Sequence, residues 1–352
     1  MSRFGLLCSV ALIAPVVKAQ YQIVKDYSGS TFFDDWNFYG NFDNLTHGNV
    51  NYLDEIDAFH DKLAFTNGAG NVIMRVDNTT DVAAPQNRNS IRISTKDQFT
   101  VGSLWIADIL HVPYGCSVWP AFWSSAVEWP AGGEIDTFEA VNNESMSTMA
   151  LHTAPGCVHS PNAVQSSTLI NQTDCSTDIN NNEGCTITNP TLASYGAAFA
   201  NNGGGVYVTE FAVDGISIWF FNRSSIPSSI QGNASSVDTS TLGIPVGNWP
   251  ASNCTVTEFF QPQQLVFDIA LCGDFAGNAQ IFAETCSGVC YDDWVLGDPS
   301  NYDNAYFEVQ YVRVYGQPGE LTVIQSGAQR SLSLRSVLAV VVGAIIGTIM
   351  AL

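Results

Sequence analysis

Basic residues are scarce in this 352-residue chain: 12 Lys plus Arg stand against 33 Asp plus Glu, for a net charge of -21 at pH 7. Affinity for nucleic acid rests on Lys and Arg neutralising phosphates, so DNA and RNA are excluded as partners. Charge of either sign is thin, at 13% of residues, whereas apolar residues make up 46%, with 20 Phe, 12 Tyr and 8 Trp. Such a chain can bury a large core and is not disordered along its length. Helical periodicity is missing too: between the two ends no stretch carries the apolar spacing of a three-turn helix. There is no repeat of fixed period, which argues against a propeller or a β-helix. A GxSxG elbow and an HExxH zinc motif are both absent, which removes a serine-nucleophile and a zinc-dependent hydrolytic mechanism.

Long apolar runs lie at the two ends. A basic Arg3, an apolar run from Phe4 to Val17 and the small-x-small Val17-Lys18-Ala19 fit a secretory leader over residues 1–19, cleaved before Gln20. An uncleaved anchor is the alternative, but the run is short of the roughly 20 residues a span needs. At the other end, Ser326-Gly327-Ala328, a polar spacer to Ser336 and an uncharged tail from Val337 to Leu352 have the three parts of a glycolipid (GPI) attachment signal. The attachment residue is then Ser326, and residues 327–352 are removed. A transmembrane helix is the alternative, and 16 residues are few for it. What remains, residues 20–326, carries a net charge of -25, from 8 bases and 33 acids. Such a surface suits an acidic extracellular medium or a polysaccharide matrix.

Eight cysteines remain after the leader: Cys116, Cys157, Cys175, Cys185, Cys254, Cys272, Cys286 and Cys290. An even number in a secreted chain implies disulfides, with pairing open; a zinc site lacks its paired CxxC motifs. N-glycosylation sequons begin at Asn44, Asn78, Asn143, Asn171, Asn222, Asn233 and Asn253, in keeping with a eukaryotic secretory route.

Between the ends, apolar residues recur at spacing two and are interrupted every eight to twelve residues by Gly, Pro, Asn or Asp, as in NSIRIST, GVYVTEFAV, GISIWFF, QLVFDIAL and AYFEVQYVRVY. The chain is expected to be all-β, a β-sandwich of two face-to-face antiparallel sheets in one domain over residues 20–316. Asp214-Gly215 is expected to be a type I′ hairpin turn. Residues 160–190, rich in Asn, Ser and Thr, read as a long disulfide-pinned loop, and residues 317–326 as a linker.

Chemistry concentrates after Gly132-Gly133, in EIDTFE. Period-two geometry puts Glu134 and Asp136 on one face and Glu139 on the other; a single β-bulge between Asp136 and Glu139 would restore the parity. Two carboxyl groups about 5 to 5.5 Å apart serve a retaining glycosidase, one as nucleophile and one as a protonated acid, and the spacing therefore requires a concave, curved sheet. Mutual repulsion would keep one member protonated. The alternative is a Ca²⁺ cluster or a solvated face; Ca²⁺ ligands usually come from loops, however, and strand-borne acids beside Ile135 and Phe138 are costly unless used. Trp119, Trp123 and Trp129 lie close by in sequence. A lone Trp reads as core, but three beside an acidic trio read as platforms for pyranose rings.

EIDTFE, preceded by GCSVWPAFW and WPAGG, followed by ALHT and flanked by FFDDWNFY, CGDFAG and YFEVQYVRVY, resembles glycoside hydrolase family 16, in its fungal laminarinase-like endo-1,3(4)-β-glucanase branch, over roughly Tyr21 to Gly316. The resemblance implies a β-jelly roll and hydrolysis with retention, on a β-glucan substrate and with no cofactor or metal. It implies Glu134 as nucleophile, Glu139 as general acid/base and Asp136 as the acid that orients the nucleophile. It also implies His152 as a sugar contact near the cleavage point, Trp123 and Trp129 as subsite walls, and Phe275 as a platform smaller than the Trp often found there. Arg88, in RNSIRIS, is read as a donor to a sugar hydroxyl. The protein is thus expected to be a monomeric cell-surface glucanase whose only membrane link is the lipid anchor. A wall-remodelling transglycosidase and a glucan-binding protein without activity are the alternatives.

Overall fold

The computed structural model describes residues 20–325. The expected leader, the attachment residue Ser326 and the tail lie outside the described residues. Strands dominate, as the period-two pattern requires, and the longest α-helix among the described residues, Ala279–Thr285, has 7 residues. None of the described helices is long and apolar enough to cross a membrane.

Two large antiparallel sheets form the sandwich. The seven-stranded sheet runs Cys185–Thr188, Thr148–His152, Glu134–Glu139, Val118–Ser125, Gln264–Leu271, Arg92–Thr95, Trp36–Phe38 in spatial order. The nine-stranded sheet runs Ser236–Asp238, Gln20–Ser28, Tyr306–Gly316, Ser103–His111, Gly205–Ala212, Gly215–Asn222, Gly247–Pro250, with Val72–Arg75 added beside Tyr306–Gly316 and Ala64–Thr66 beside that. Alternate residues of each strand meet between the sheets: Phe122, Ile135, Phe138 and Phe267 from one, Trp105, Tyr207, Phe211 and Phe307 from the other. The Phe138 ring lies edge-on to Tyr207 at 5.4 Å and to Phe307 at 6.2 Å. Each such buried ring contributes roughly 1.5–3 kcal/mol.

The two outer faces differ, and this decides where a ligand can go. On the nine-stranded sheet, Leu104, Ile106, Val206, Val208 and Trp219 cluster with Val237 of the edge strand and with Ile230 and Leu242 from the connections on either side of it. On the seven-stranded sheet only Ala121, Trp123 and Val266 form a small apolar floor. The rest of that face is polar and aromatic.

All eight cysteines pair: Cys116–Cys286, Cys157–Cys254, Cys175–Cys185 and Cys272–Cys290. No thiolate is left for zinc among them. Three expectations shift. The hairpin between Gly205–Ala212 and Gly215–Asn222 forms, but its two loop residues are Val213 and Asp214, neither at positive φ. Gly215 opens the second strand, where a Cβ would lie 2.8 Å from the Trp249 carbonyl oxygen, so close strand approach rather than a type I′ turn is what requires glycine. The 160–190 segment is mostly loop, with a single turn at Asn180–Asn182 and the strand Cys185–Thr188, which pairs at the sheet edge. Residues after Gly316 do not leave the domain at once: Val323–Ile324 pairs with Gln98–Phe99, and Thr322 is buried.

Candidate active site

The bulge is where the odd spacing demanded it. Across one edge, Glu134 pairs with His152 and Asp136 with Ala150, but Glu139 pairs with Thr148, so three steps on this strand match two on its neighbour. Across the other edge, Asp136 faces Trp123 and Phe138 faces Phe122, which makes Thr137 the extra residue. Ile135, Thr137 and Phe138 are all fully buried, two of them consecutive. A threonine fits this inward position because its hydroxyl is satisfied: Oγ1 accepts from Trp105 Nε1 at 3.2 Å and shares a hydrogen bond with Thr209 Oγ1 at 2.7 Å. Glu134, Asp136 and Glu139 are thereby left together on the outer face.

Each acid has a specific neighbour. Trp119 Nε1 donates to Glu139 Oε1 at 2.6 Å, and its ring is braced edge-on by Phe275 at 5.5 Å. His152 Nε2 lies 3.1 Å from Asp136 Oδ2 and 4.0 Å from Glu134 Oε1, while Nδ1 meets Asn182 Oδ1 at 3.1 Å. Trp129, 43% exposed at the rim, reaches the Glu134 carboxylate. Burial, and then the neighbouring Asp136, hold both Glu134 and Glu139 well above the ordinary carboxylate range. Against this, His152 pulls Glu134 down and the Trp119 hydrogen bond pulls Glu139 down. For His152, burial disfavours the cation, but Glu134, Asp136 and Glu139 outweigh it and raise the imidazole to about 10. The site therefore combines buried acids of raised proton affinity with an imidazole whose cation is favoured by those same acids.

Donor atoms of Glu134, Asp136 and His152 lie within 4.8 Å of one another, close enough for an ion site. His152 Nε2 faces Asp136 Oδ2 and its Nδ1 faces Asn182 Oδ1, and the surrounding acids favour the imidazole's cation, which pairs with them. The cluster is an internally ion-paired set.

A second polar row lies beside the first. Asp268 stands opposite both Ala121 and Arg92 in the sheet. Its Oδ1 accepts from Trp123 Nε1 at 3.0 Å and its Oδ2 from the Tyr52 hydroxyl at 3.3 Å. Burial raises this carboxyl to about 6, with Arg92 opposing the shift. The Arg92 guanidinium lies over Tyr39 at 4.7 Å and over Trp123 at 5.6 Å, and donates to Asn44 Oδ1 at 3.4 Å. Tyr39, Leu45, Arg92, Trp123, Trp129 and Gln264 line a depression of about 430 Å³ that continues the acidic site. Asp268, Arg92, Tyr52 and Tyr39 were not singled out from sequence. Asp268 had a signal, as the lone charge in QLVFDIAL, and so had Arg92, placed between Ile91 and Ile93, both of which face the core.

The sequence points to the wrong arginine of RNSIRIS. Arg88 is fully buried, and its five N–H groups go to the carbonyl oxygens of Val295, Asp77, Thr80 and Gly297, with the guanidinium over the Tyr302 ring. No donor remains for a sugar, so Arg88 is a core clamp. Trp119, Trp123, Trp129, His152 and Phe275, by contrast, all come to the acidic face. Of the sequons, Asn44, Asn143, Asn171, Asn233 and Asn253 are exposed, while Asn78 and Asn222 are half-buried. The Asn78 amide donates to Asp303 at 2.7 Å.

Residues 36–315 match the XgeA-like, catalytic domain of glycoside hydrolase family 16. A probable glycosidase from Schizosaccharomyces pombe is 40% identical over 305 residues, 86% of this chain and 71% of that protein. The chain spans about half the length of several fungal relatives described as probable endo-1,3(4)-β-glucanases, among them those of Neosartorya fischeri and Aspergillus niger. Among solved structures, laminarinase 16A from Phanerochaete chrysosporium, with β-glucans in its donor and acceptor sites, superposes with a TM-score of 0.81 at 33% identity, covering 84% of this chain and 100% of that one. An elongating family 16 β-1,3-glucosyltransferase superposes with a TM-score of 0.77 at 35% identity, covering 84% of this chain and 99% of that one.

Proposed function

Because the chain belongs to glycoside hydrolase family 16, we propose that it is a retaining endo-β-glucanase that cleaves internal β-1,3 or mixed β-1,3/1,4 linkages. The observation that supports this most directly is the Thr137 bulge, which gathers Glu134, Asp136 and Glu139 on one open face. Roles follow from the neighbours. Glu134, with the imidazolium 4.0 Å away, is the acid stabilised as an anion, and it attacks the anomeric carbon. Glu139, with no such cation at contact distance, keeps its proton and delivers it to the departing glucosyl oxygen. The C–O glycosidic bond breaks as the Glu134 ester forms. Glu139, now a carboxylate, takes a proton from water, whose oxygen displaces Glu134 and restores the starting configuration. Asp136, bonded to His152, fixes the cation beside the nucleophile. Trp119 orients the acid, and Trp123, Trp129, Phe275, Tyr39 and Arg92 offer flat faces and donors to the glucosyl units on either side.

The test is the release of reducing ends from laminarin with proton NMR of the first-formed anomer. We expect the β anomer, and loss of about 10²–10⁴ in rate for Glu134→Gln and for Glu139→Gln. Normal turnover in both variants would remove the assignment. Transfer is the second reading, favoured by the likeness to the elongating glucosyltransferase. It differs only in that a sugar hydroxyl intercepts the Glu134 ester, and chain-length redistribution without new reducing ends would identify it.

We place the protein outside the cell, at the wall, as a monomer. Four disulfides support the compartment. The tether at Ser326 rests on the sequence pattern alone, and release from membranes by a phosphatidylinositol-specific phospholipase tests it.

A further inference from the structure

His152 makes a hydrogen bond that the displacement chemistry does not use. Its Nδ1 lies 3.1 Å from Asn182 Oδ1, on the side of the ring away from the acids. Asn182 ends a run of three residues in the left-handed region, Asn180, Asn181 and Asn182, at φ 50, 54 and 62. Asparagine tolerates that region better than most side chains, but three in succession persist only where the surroundings hold them. Two features do. The buried Cys175–Cys185 disulfide closes the loop, and Gly184 packs against the imidazole so tightly that a Cβ there would lie 2.8 Å from His152 Nε2. The turn is thus built around the ring.

We propose that Asn182 is a positioning residue: by accepting from His152 Nδ1–H it fixes the ring so that Nε2–H is aimed at Asp136 and Glu134. Asn182 acts on the reaction through its contact to His152, so the inference rests on the glucanase reading and deepens it. The charged groups facing the ring are Glu134, Asp136 and Glu139, all from the adjacent strand. From the turn, Asn182 is neutral and Glu183 is exposed. An unpinned ring would swing Nε2 away from Glu134, and the nucleophile would lose its cation.

The test uses Asn182→Gly, which removes the acceptor and suits a φ of 62, and Asn182→Asp, which keeps an acceptor. NMR titration of His152 is expected to show its pKa falling by about one unit in Asn182→Gly and holding or rising in Asn182→Asp. On laminarin, the ascending limb of kcat/KM, which reports ionisation of Glu134, should move up by about half to one unit in the glycine variant and be restored in the aspartate one, with KM little changed. A folded Asn182→Gly protein with an unmoved His152 titration and an unmoved limb would overturn the proposal, and so would an Asn182→Asp protein whose His152 pKa falls. The titration needs no turnover. A shift in His152 within a protein inert on glucan would therefore retain the Asn182 contact while removing the glucanase reading.

Discussion

Replacing Trp119 with Phe removes the Nε1 that donates to Glu139 Oε1 at 2.6 Å, together with part of the indole, and leaves a smaller aromatic ring against Phe275. That hydrogen bond favours the ionised carboxylate and works against burial and Asp136, which both favour the acid. Its loss therefore raises the Glu139 pKa. A hydrogen bond to a charged group is worth about 1.5–3 kcal/mol, and one pKa unit is about 1.4 kcal/mol; at this half-open site the lower end applies, giving a rise of about one unit. As the general acid, Glu139 works while protonated, so its ionisation sets the alkaline limb of the rate profile. The limb should move to higher pH by about one unit, while kcat falls about tenfold because the acid is weaker and less well oriented. KM should rise as well, since the smaller ring offers less surface to a glucosyl unit. Initial rates on laminarin from acid to alkaline pH, fitted separately for kcat and kcat/KM, isolate the limb from the binding loss. An alkaline limb that stays in place or moves down would refute the reasoning, because Trp119 would then not be stabilising the anion of the acid.

Thr137→Val keeps the shape of the bulge but leaves Trp105 Nε1 and Thr209 Oγ1 facing a methyl group. At about 1–3 kcal/mol for each buried group left unpaired, calorimetry should show melting lowered by roughly 5–10 °C, with activity retained below the transition; an unchanged Tm would refute the contact. The two arginines of RNSIRIS should separate cleanly. Arg88→Lys strands several buried carbonyls and should cost several kcal/mol of stability with KM unchanged in the folded fraction. Arg92→Ala should raise KM for long glucans about tenfold with Tm nearly constant; the reverse pattern would return Arg88 to the cleft. Glu139→Gln should stabilise the protein. The folded-state pKa is raised, so the wild type loses stability as pH climbs from the unfolded value of about 4.3 toward the folded one. The variant should accordingly melt higher than wild type at pH about 8, with the difference gone near pH 4, and equal melting at both would count against the raised pKa.

Most of the site was legible because strand parity is a property of sequence alone. Glu134 and Glu139 five positions apart forced a bulge, and the bulge appeared with Thr137 as the extra residue. The two-sheet sandwich was legible for the same reason, since an inward–outward alternation over so many short segments packs well as two sheets, whereas the jelly roll followed from the family resemblance. What parity could not supply was the identity of cross-strand neighbours. Asp268 and Arg92 face each other only because Gln264–Leu271 and Arg92–Thr95 pair in one register, which depends on the whole sheet. Arg88 was misread because the chain changes strand between Ser90 and Arg92: Ser90 and Ile91 are both buried, so the alternation breaks, and two residues of equal parity end up in unrelated places. Asn182 left even less signal. Its role depends on a loop conformation set by Cys175–Cys185, and cysteine spacing does not fix connectivity.

The scarcity of basic residues takes on a local meaning at the cleft. Elsewhere on the described chain several of the cations are spent on structure: Arg88 on core carbonyls, Arg223 on Asp108, Arg313 on Asp26, and Lys25 on Asp35 and Asp97. The cleft itself sets four carboxyl groups, Glu134, Asp136, Glu139 and Asp268, against two cations, His152 and Arg92, and both cations are already engaged with those acids or with aromatic faces. A polyanionic glycan entering this face would meet net repulsion and no free guanidinium to pair with. A neutral glucan needs neither: its hydroxyls find the polar edges of the site and its ring faces find indole and phenol. The charge deficit that excludes nucleic acid at the level of composition thus excludes acidic polysaccharides at the level of the site. The neutral polymer is left as the substrate class that this arrangement of acids can approach closely enough to protonate.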